Sequence, residues 1–192
     1  MKLGVLGGTF NPVHIAHLRV AEEVAHRFKL GKILFIPAGD PPLKNDADLA
    51  PADDRLKMVQ LAIADNSLFE ASDIEIRTEG KSYTVNTLKR LRENRIDLQS
   101  LFFIVGADAF SDIKLWHDYS RIFELASIIV VARPAFKSFD LLQYIPEDIK
   151  DRFFRTDNEN MLKHESGNIV VFQQVTLMDI SSSYIREELK KG

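Results

Sequence analysis

Residues 3–17 read LGVLGGTFNPVHIAH. Leu3 to Leu6 is a short apolar run that stops at Gly7-Gly8, the signature of a buried strand running into a tight turn. Ile15, Leu18, Ala21, Val24, Ala25 and Phe28 then recur at helical spacing, and Gly31 offers a stop. The stretch is therefore a strand, a glycine turn and a helix. Pro12 sits just before that helix, and His14 and His17, three residues apart, share a face of its first turn.

Outward from this unit the same alternation continues. Ile33 to Ile36 is a second apolar run, closed by Pro37. Residues 37–52 hold four prolines (Pro37, Pro41, Pro42, Pro51) and Gly39, a loop long enough to suggest function. Asp53-Asp54 opens a helix with Leu56, Val59 and Ile63 on one face, where acids suit the positive end of the helix dipole. Leu68 to Ile76 reads as extended, with Ile74 and Ile76 alternating against acids. Ser82 or Thr84 caps a helix carrying Val85, Leu88 and Leu91. Leu101 to Val105 is the strongest buried-strand signal and ends at Gly106. A short helix over 119–126 follows, then a strand over Ile128–Val131 ending at Arg133-Pro134. Residues 139–155 read as helical, with Pro146 a break or a new first helical position. A strand over Ile169–Phe172 and a helix over Ser181–Lys190 close the series.

Strands alternating with helices specify an α/β fold: a Rossmann-like, doubly wound parallel sheet with helices on both faces. Such sheets bind ligands at the carboxyl ends of their strands. The unusual polar segments fall there: Gly7 to His17, Pro37 to Lys44, Gly106-Ala107-Asp108 and Arg133, with Ser181 to Arg186 opening the last helix. With 192 residues, the expected organisation is one domain over 1–192.

Composition narrows the partners. The net charge of −3 argues against a general nucleic-acid binder. No apolar run approaches the roughly 18 residues that span a bilayer. The chain has no cysteine, which excludes disulfides and thiol catalysis and fits a reducing compartment. A cytoplasmic protein is expected, with no membrane partner; a homo-oligomer is left open.

The glycine turn lets an anion approach the backbone, and the following helix N-terminus presents free N–H groups that favour phosphate. It is neither a Walker A loop nor a G-x-G-x-x-G fingerprint, since its glycines stand at 4, 7 and 8. A metal pair is the competing reading of His14 and His17. It finds no cysteine and no evident third ligand among His26, His117 and His164.

Taken together, Gly7-Gly8-Thr9-Phe10-Asn11-Pro12-Val13-His14, Pro37 to Lys44, Ser82-Tyr83-Thr84, Gly106-Ala107-Asp108 with Trp116, and Ile180 to Arg186 resemble the bacterial nicotinate-nucleotide adenylyltransferases of the nucleotidylyltransferase superfamily. Five blocks stand in that family's order across residues 3–186. The resemblance implies transfer of AMP from ATP to nicotinate mononucleotide, giving deamido-NAD and pyrophosphate, a step of NAD biosynthesis. It implies catalytic roles for His14, His17 and Arg186. ATP would be bound by Gly7, Gly8, Thr9, Phe10, Gly106, Asp108, Ile180, Ser182 and Ser183. Nicotinate mononucleotide would be bound by Lys44, Thr84, Trp116, His117 (through its backbone N–H) and Arg133, with Lys44 and Arg133 adding positive charge near the phosphates. Mg²⁺ would arrive with ATP, held by phosphates and water rather than by a protein cage. Tyr83 and Phe110 read as packing residues.

Several positions depart from the family's pattern. Ala16 stands for a glycine, and its methyl group crowds the approach of a phosphate. Leu43 stands for a common histidine, Ser183 for threonine and Asn11 for aspartate. A phosphopantetheine adenylyltransferase would carry threonine in place of His14 and lack the Pro-Pro-x-Lys loop. A nicotinamide mononucleotide preference is a closer rival, and a nucleotide-binding regulatory domain without catalysis is the non-enzymatic one.

Overall fold

The structure is a computed structural model that describes residues 1–41, 48–94, 99–132, 140–176 and 178–191. It resolves into two compact units. One comprises Gly4–Ser82 with Leu177–Gly192, the other Met1–Leu3 with Tyr83–Thr176.

The first unit carries most of β1 (Lys2–Gly8), then α1 (Ile15–Phe28), β2 (Lys32–Pro37), α2 (Ala52–Ile63), β3 (Phe69–Ala71) and the last helix, α7 (Ser182–Lys191). Its strands lie in the order β3-β2-β1, with β2 and β3 parallel, Ile33 opposite Phe69 and Phe35 opposite Ala71. Ile33 to Ile36 are fully buried, which suits a parallel strand covered on both faces. Ala21, Val24 and Ala25 of α1 and Leu56, Val59 and Ile63 of α2 supply the helical side of the core. α1 ends at Phe28, and Lys29, two residues before Gly31, takes the left-handed cap position at φ 53°.

The second unit carries α3 (Thr84–Asn94), β4 (Ser100–Gly106), α4 (Ala107–Ser111), α5 (Tyr119–Leu125), β5 (Ser127–Ala132), α6 (Leu141–Tyr144), β6 (Phe153–Arg155), β7 (Met161–His164) and β8 (Ile169–Gln174). The order is β4-β5-β8-β7-β6. β4, β5 and β8 are parallel, with Ile104 opposite Ile129 and Ile129 opposite Val171. β7 pairs antiparallel with both β8 and β6. Parallel strands joined through helices give the expected α/β class, with an antiparallel extension at one edge.

Three expectations need correction. The extended reading of Leu68–Ile76 holds only for Phe69–Ala71. The Ser72 hydroxyl then accepts from the Ile74 N–H, and Arg77 N–H donates to Asp73 O, so the chain turns. The helix over 139–155 is instead α6, a 3₁₀ turn over Glu147–Arg152 that starts after Pro146, and β6. The strands β6 and β7 were not anticipated. Their side chains mix Lys163 and Arg155 with Leu162 and His164, the alternation of a sheet edge with one wet face.

His164 on β7 is 1% exposed and packs between Phe123 and Phe153, at ring distances of 6.2 and 4.8 Å. Its Nδ1 accepts from the Ser166 N–H. Burial, reinforced by Arg152 and only partly opposed by Glu165 and Glu124, holds its pKa below the ordinary 6.5. Below that pH the unfolded chain binds the proton and the folded chain resists it, so stability falls as the medium is acidified through this window. The melting temperature is expected to drop between neutrality and mildly acidic pH. His164→Asn, which keeps an acceptor for the Ser166 N–H, should flatten that slope. An equal slope in both proteins would remove His164 as its cause.

Candidate active site

In the first unit, β1 delivers Gly7 and Gly8 to the turn and Phe10 closes it. Phe10 is 3% exposed, and a Cβ on Gly8 would stand 3.1 Å from its ring, so the glycine is what admits the aromatic side chain. Phe10 takes a left-handed conformation at φ 48°, a costly state for an aromatic residue. The Phe10 ring meets the His17 ring edge-on at 5.1 Å and also packs on Phe35 at 5.9 Å. The Asn11–Pro12 peptide is cis.

His14 is the residue before α1 and has extended backbone. Its N–H donates to His17 Nδ1 at 3.2 Å, while His17 N–H donates to His14 O at 2.9 Å. The two imidazole rings lie 3.8 Å apart, tilted by 31°. Because Nδ1 of His17 accepts, the proton of its neutral ring resides on Nε2. The ring is thereby held by Phe10 on its side and by the His14 backbone at Nδ1. Ala16 takes its place in the first turn of α1, half-buried.

α7 meets the same turn. Ser182 Oγ donates to Pro12 O at 2.8 Å, and Arg186 Nη1 donates to Asn11 O at 2.8 Å. Arg186 Nη2 reaches Ser183 Oγ at 3.5 Å. Ser181 caps the helix by accepting from the Tyr184 N–H. The Lys190 ammonium pairs with Asp48 at 2.6 Å, and the Asp48 carbonyl accepts from Asn11 Nδ2 at 2.9 Å. Lys190 holds the Asp48 carboxyl below its usual range. Residues 170 positions apart in sequence thus converge on one glycine turn. His14, His17, Phe10, Ser182, Ser183 and Arg186 form one cluster, and Ile180 lies half-buried just before α7.

Sequence reasoning missed two members of this cluster. Asn11 is buried and also accepts from the Ala50 N–H, so it pins the long loop to the turn. Arg55 of α2, discussed below, is 1% exposed. A signal existed for Arg55: it falls on the apolar face with Leu56, Val59 and Ile63, where an arginine needs a reason. Ser82 proves not to cap α3. Its hydroxyl accepts from Gly39 and Asp40 N–H at 3.0 and 3.2 Å. Gly39 tolerates no side chain, since a Cβ would stand 2.4 Å from Glu75 O.

The second unit holds the remaining described candidates. Gly106 ends β4, and Asp108 lies exposed in the first turn of α4. Trp116 is half-buried, with Phe103 packed edge to face against it at 5.9 Å. It is therefore no core anchor. His117 is exposed and its ring lies on Tyr83 at 4.4 Å, next to Thr84 at the start of α3. Phe110 is fully buried and packs. Lys44 and Arg133, together with Leu43, lie outside the described residues.

Among the described residues no group of three or more histidines and acids could hold a metal ion, and no helix is long and apolar enough to cross a membrane. The arrangement suits an anion: ring N–H, guanidinium and helix N-terminus around a glycine turn.

The profile of the cytidylyltransferase-like family matches residues 5–188. A protein of Syntrophotalea carbinolica named "Probable nicotinate-nucleotide adenylyltransferase" is 47% identical over 192 residues, covering all of this chain and 88% of that one. A protein of Geotalea uraniireducens with the same name is 49% identical over the same coverage. Among solved structures, nicotinic acid mononucleotide adenylyltransferase of Plasmodium falciparum complexed with NaAD aligns with a TM-score of 0.68 at 19% identity. That alignment covers 97% of this chain and 82% of the other, a likeness of fold.

Proposed function

Since the chain belongs to the cytidylyltransferase-like family, and within it to the nicotinate-nucleotide adenylyltransferases, we propose a division of labour among its residues for that family's reaction. The chain transfers AMP from ATP to nicotinate mononucleotide, giving deamido-NAD and pyrophosphate in NAD biosynthesis. A phosphate oxygen of the mononucleotide attacks the α-phosphorus of ATP. The bond from that phosphorus to the bridging oxygen breaks, and pyrophosphate leaves with the charge. The nucleophile is already anionic at neutral pH, so neither a general base nor a covalent intermediate is required. Positioning and charge stabilisation carry the rate.

The observation that carries this reading is the fixed His17 ring, whose Nδ1 is occupied by the His14 N–H. Its Nε2–H is a preorganised donor to the departing pyrophosphate, and His14 works beside it. Arg186 and the first N–H groups of α7, with Ser182 and Ser183, hold the β and γ phosphates. Gly7, Gly8, Thr9 and Phe10 bring backbone close to the phosphate chain, while Gly106, Asp108 and Ile180 take the adenosine side. Mg²⁺ would accompany ATP, held through phosphate oxygens and water. Lys44 and Arg133 add positive charge.

Trp116 stacks on the pyridine ring, and the His117 N–H with Thr84 faces its carboxylate. Trp116→Ala is expected to raise the KM for nicotinate mononucleotide about tenfold, the worth of one stacking contact, with the KM for ATP little changed. Steady-state kinetics in both substrates measure the two effects. An unchanged mononucleotide KM would remove Trp116 from this role.

Residues 1–192 act as one nucleotidylyltransferase domain in the cytoplasm, without nucleic-acid or membrane partners; the acidic balance supports the first of these absences. The test is pyrophosphate release from ATP with nicotinate mononucleotide, nicotinamide mononucleotide and phosphopantetheine as acceptors. Release only with the first is expected. ATP binding by calorimetry without release in any arm would instead identify a regulatory domain.

A further inference from the structure

Among the described residues Arg55 is the largest fully buried side chain. Among the described residues no carboxylate pairs with it. Its partners are backbone carbonyls: Nε donates to Ala50 O at 2.9 Å, Nη1 to Thr9 O at 2.7 Å and Nη2 to Gly39 O at 3.4 Å. These carbonyls belong to the turn after β1 and to the two ends of the long loop between β2 and α2.

Burying a guanidinium is costly, and the usual remedy is an acidic partner. Here three carbonyl dipoles take that place, while burial lowers the guanidinium pKa without discharging it. A carboxylate at this depth would repel the phosphates expected at the turn above. A lysine, lacking the planar fork, could not hold three carbonyls set at these angles.

The Thr9 contact has a consequence for its neighbour. A trans peptide is planar, so when its C=O points at Arg55 its N–H points the other way. That N–H belongs to Phe10, and no acceptor for it is found among the described residues. Phe10 is also the residue held at φ 48°, a conformation that persists only when its surroundings over-determine it.

We propose that Arg55 is a positioning residue that clamps the turn after β1 to both ends of the long loop and, through Thr9 O, aims the Phe10 N–H at the triphosphate of ATP. The inference rests on the adenylyl-transfer reading for its ligand, and on geometry alone for the clamp. Arg55 itself touches no substrate.

Two variants of the full chain test it. Arg55→Met keeps the apolar shaft and loses fork and charge; Arg55→Lys keeps the charge. Hydrogen exchange in the free protein reads the clamp directly. The reporters are the amides that the clamped loops hold in place, Ala38 (to Gly8 O), Gly39 (to Ser82 Oγ) and Ala50 (to Asn11 Oδ1). Their protection is expected to fall by about tenfold or more in both variants, while amides of β4 and β5 keep theirs. In kinetics, kcat/KM for ATP should fall by roughly ten- to a hundredfold, the size of a misplacement near 1 Å, with the KM for nicotinate mononucleotide changed little.

Unchanged protection of the three reporters would overturn the clamp. Lost protection with kcat/KM for ATP intact, or an equal rise of both KM values, would overturn the aiming role. If the wild-type protein releases no pyrophosphate, the functional reading fails separately, and calorimetric ATP affinity of the wild type against Arg55→Lys decides the aiming role. Should Arg55→Met not fold, Arg55→Lys carries the same measurements.

Discussion

His17→Ala is expected to lower kcat for pyrophosphate release by about a hundred- to a thousandfold, the effect of deleting one preorganised donor at a site of developing charge. The KM values for both substrates should move much less, because the lost interaction strengthens only as charge builds on pyrophosphate. The ring has no other freedom to compensate. Phe10 stands edge-on to it at 5.1 Å, His14 lies 3.8 Å from it, and the His14 N–H occupies Nδ1. A structural cost accompanies the catalytic one. The same Nδ1 satisfies the N–H of the residue preceding α1, a cap whose loss costs about 1 kcal/mol. His17→Asn separates the two, since its side-chain oxygen can accept from His14 N–H but its amide does not reach as far as Nε2. That variant should melt near the wild-type temperature and stay as slow as His17→Ala. Near-normal kcat in both variants would end the proposed role of His17.

The legibility of this site in the sequence follows the range of the contacts. The strand, glycine turn and first helix over 3–17 were readable because each signal is local: an apolar run, two glycines, a 3.6 period. The parallel strands were readable because burial on both faces leaves unbroken runs such as Leu101–Val105 and Ile33–Ile36. β6 and β7 were not, because strands of an antiparallel edge carry charged residues on one face and have no run to detect. The resemblance placed Ser182 and Arg186 with ATP, but no local rule shows that their hydroxyl and guanidinium would first meet Pro12 O and Asn11 O. Arg55 shows the converse failure. Its position on the apolar face of α2 was plain, yet what it holds (Thr9, Gly39 and Ala50) is fixed only by the tertiary structure.

Arg186→Ala should rank beside His17→Ala, with kcat/KM for ATP down by about a hundred- to a thousandfold. A guanidinium on transferring phosphates can be worth that much or more. Its geometry predicts a different kinetic signature. Arg186 Nη1 donates to Asn11 O in the free protein, and Asn11 in turn holds the Asp48 carbonyl and the Ala50 N–H. Removing the guanidinium therefore loosens the turn before ATP arrives and weakens the transition state afterwards, so KM for ATP rises while kcat falls. Arg186→Lys keeps a charge but loses the fork, and is expected to recover roughly tenfold of the loss. Lys190, one turn further along α7, is bound to Asp48 and is not placed to substitute. The decisive measurement is the split between kcat and KM for ATP. A fall in kcat alone would mean that Arg186 acts only on the leaving pyrophosphate. Unaltered values of both would remove it from the phosphate site altogether.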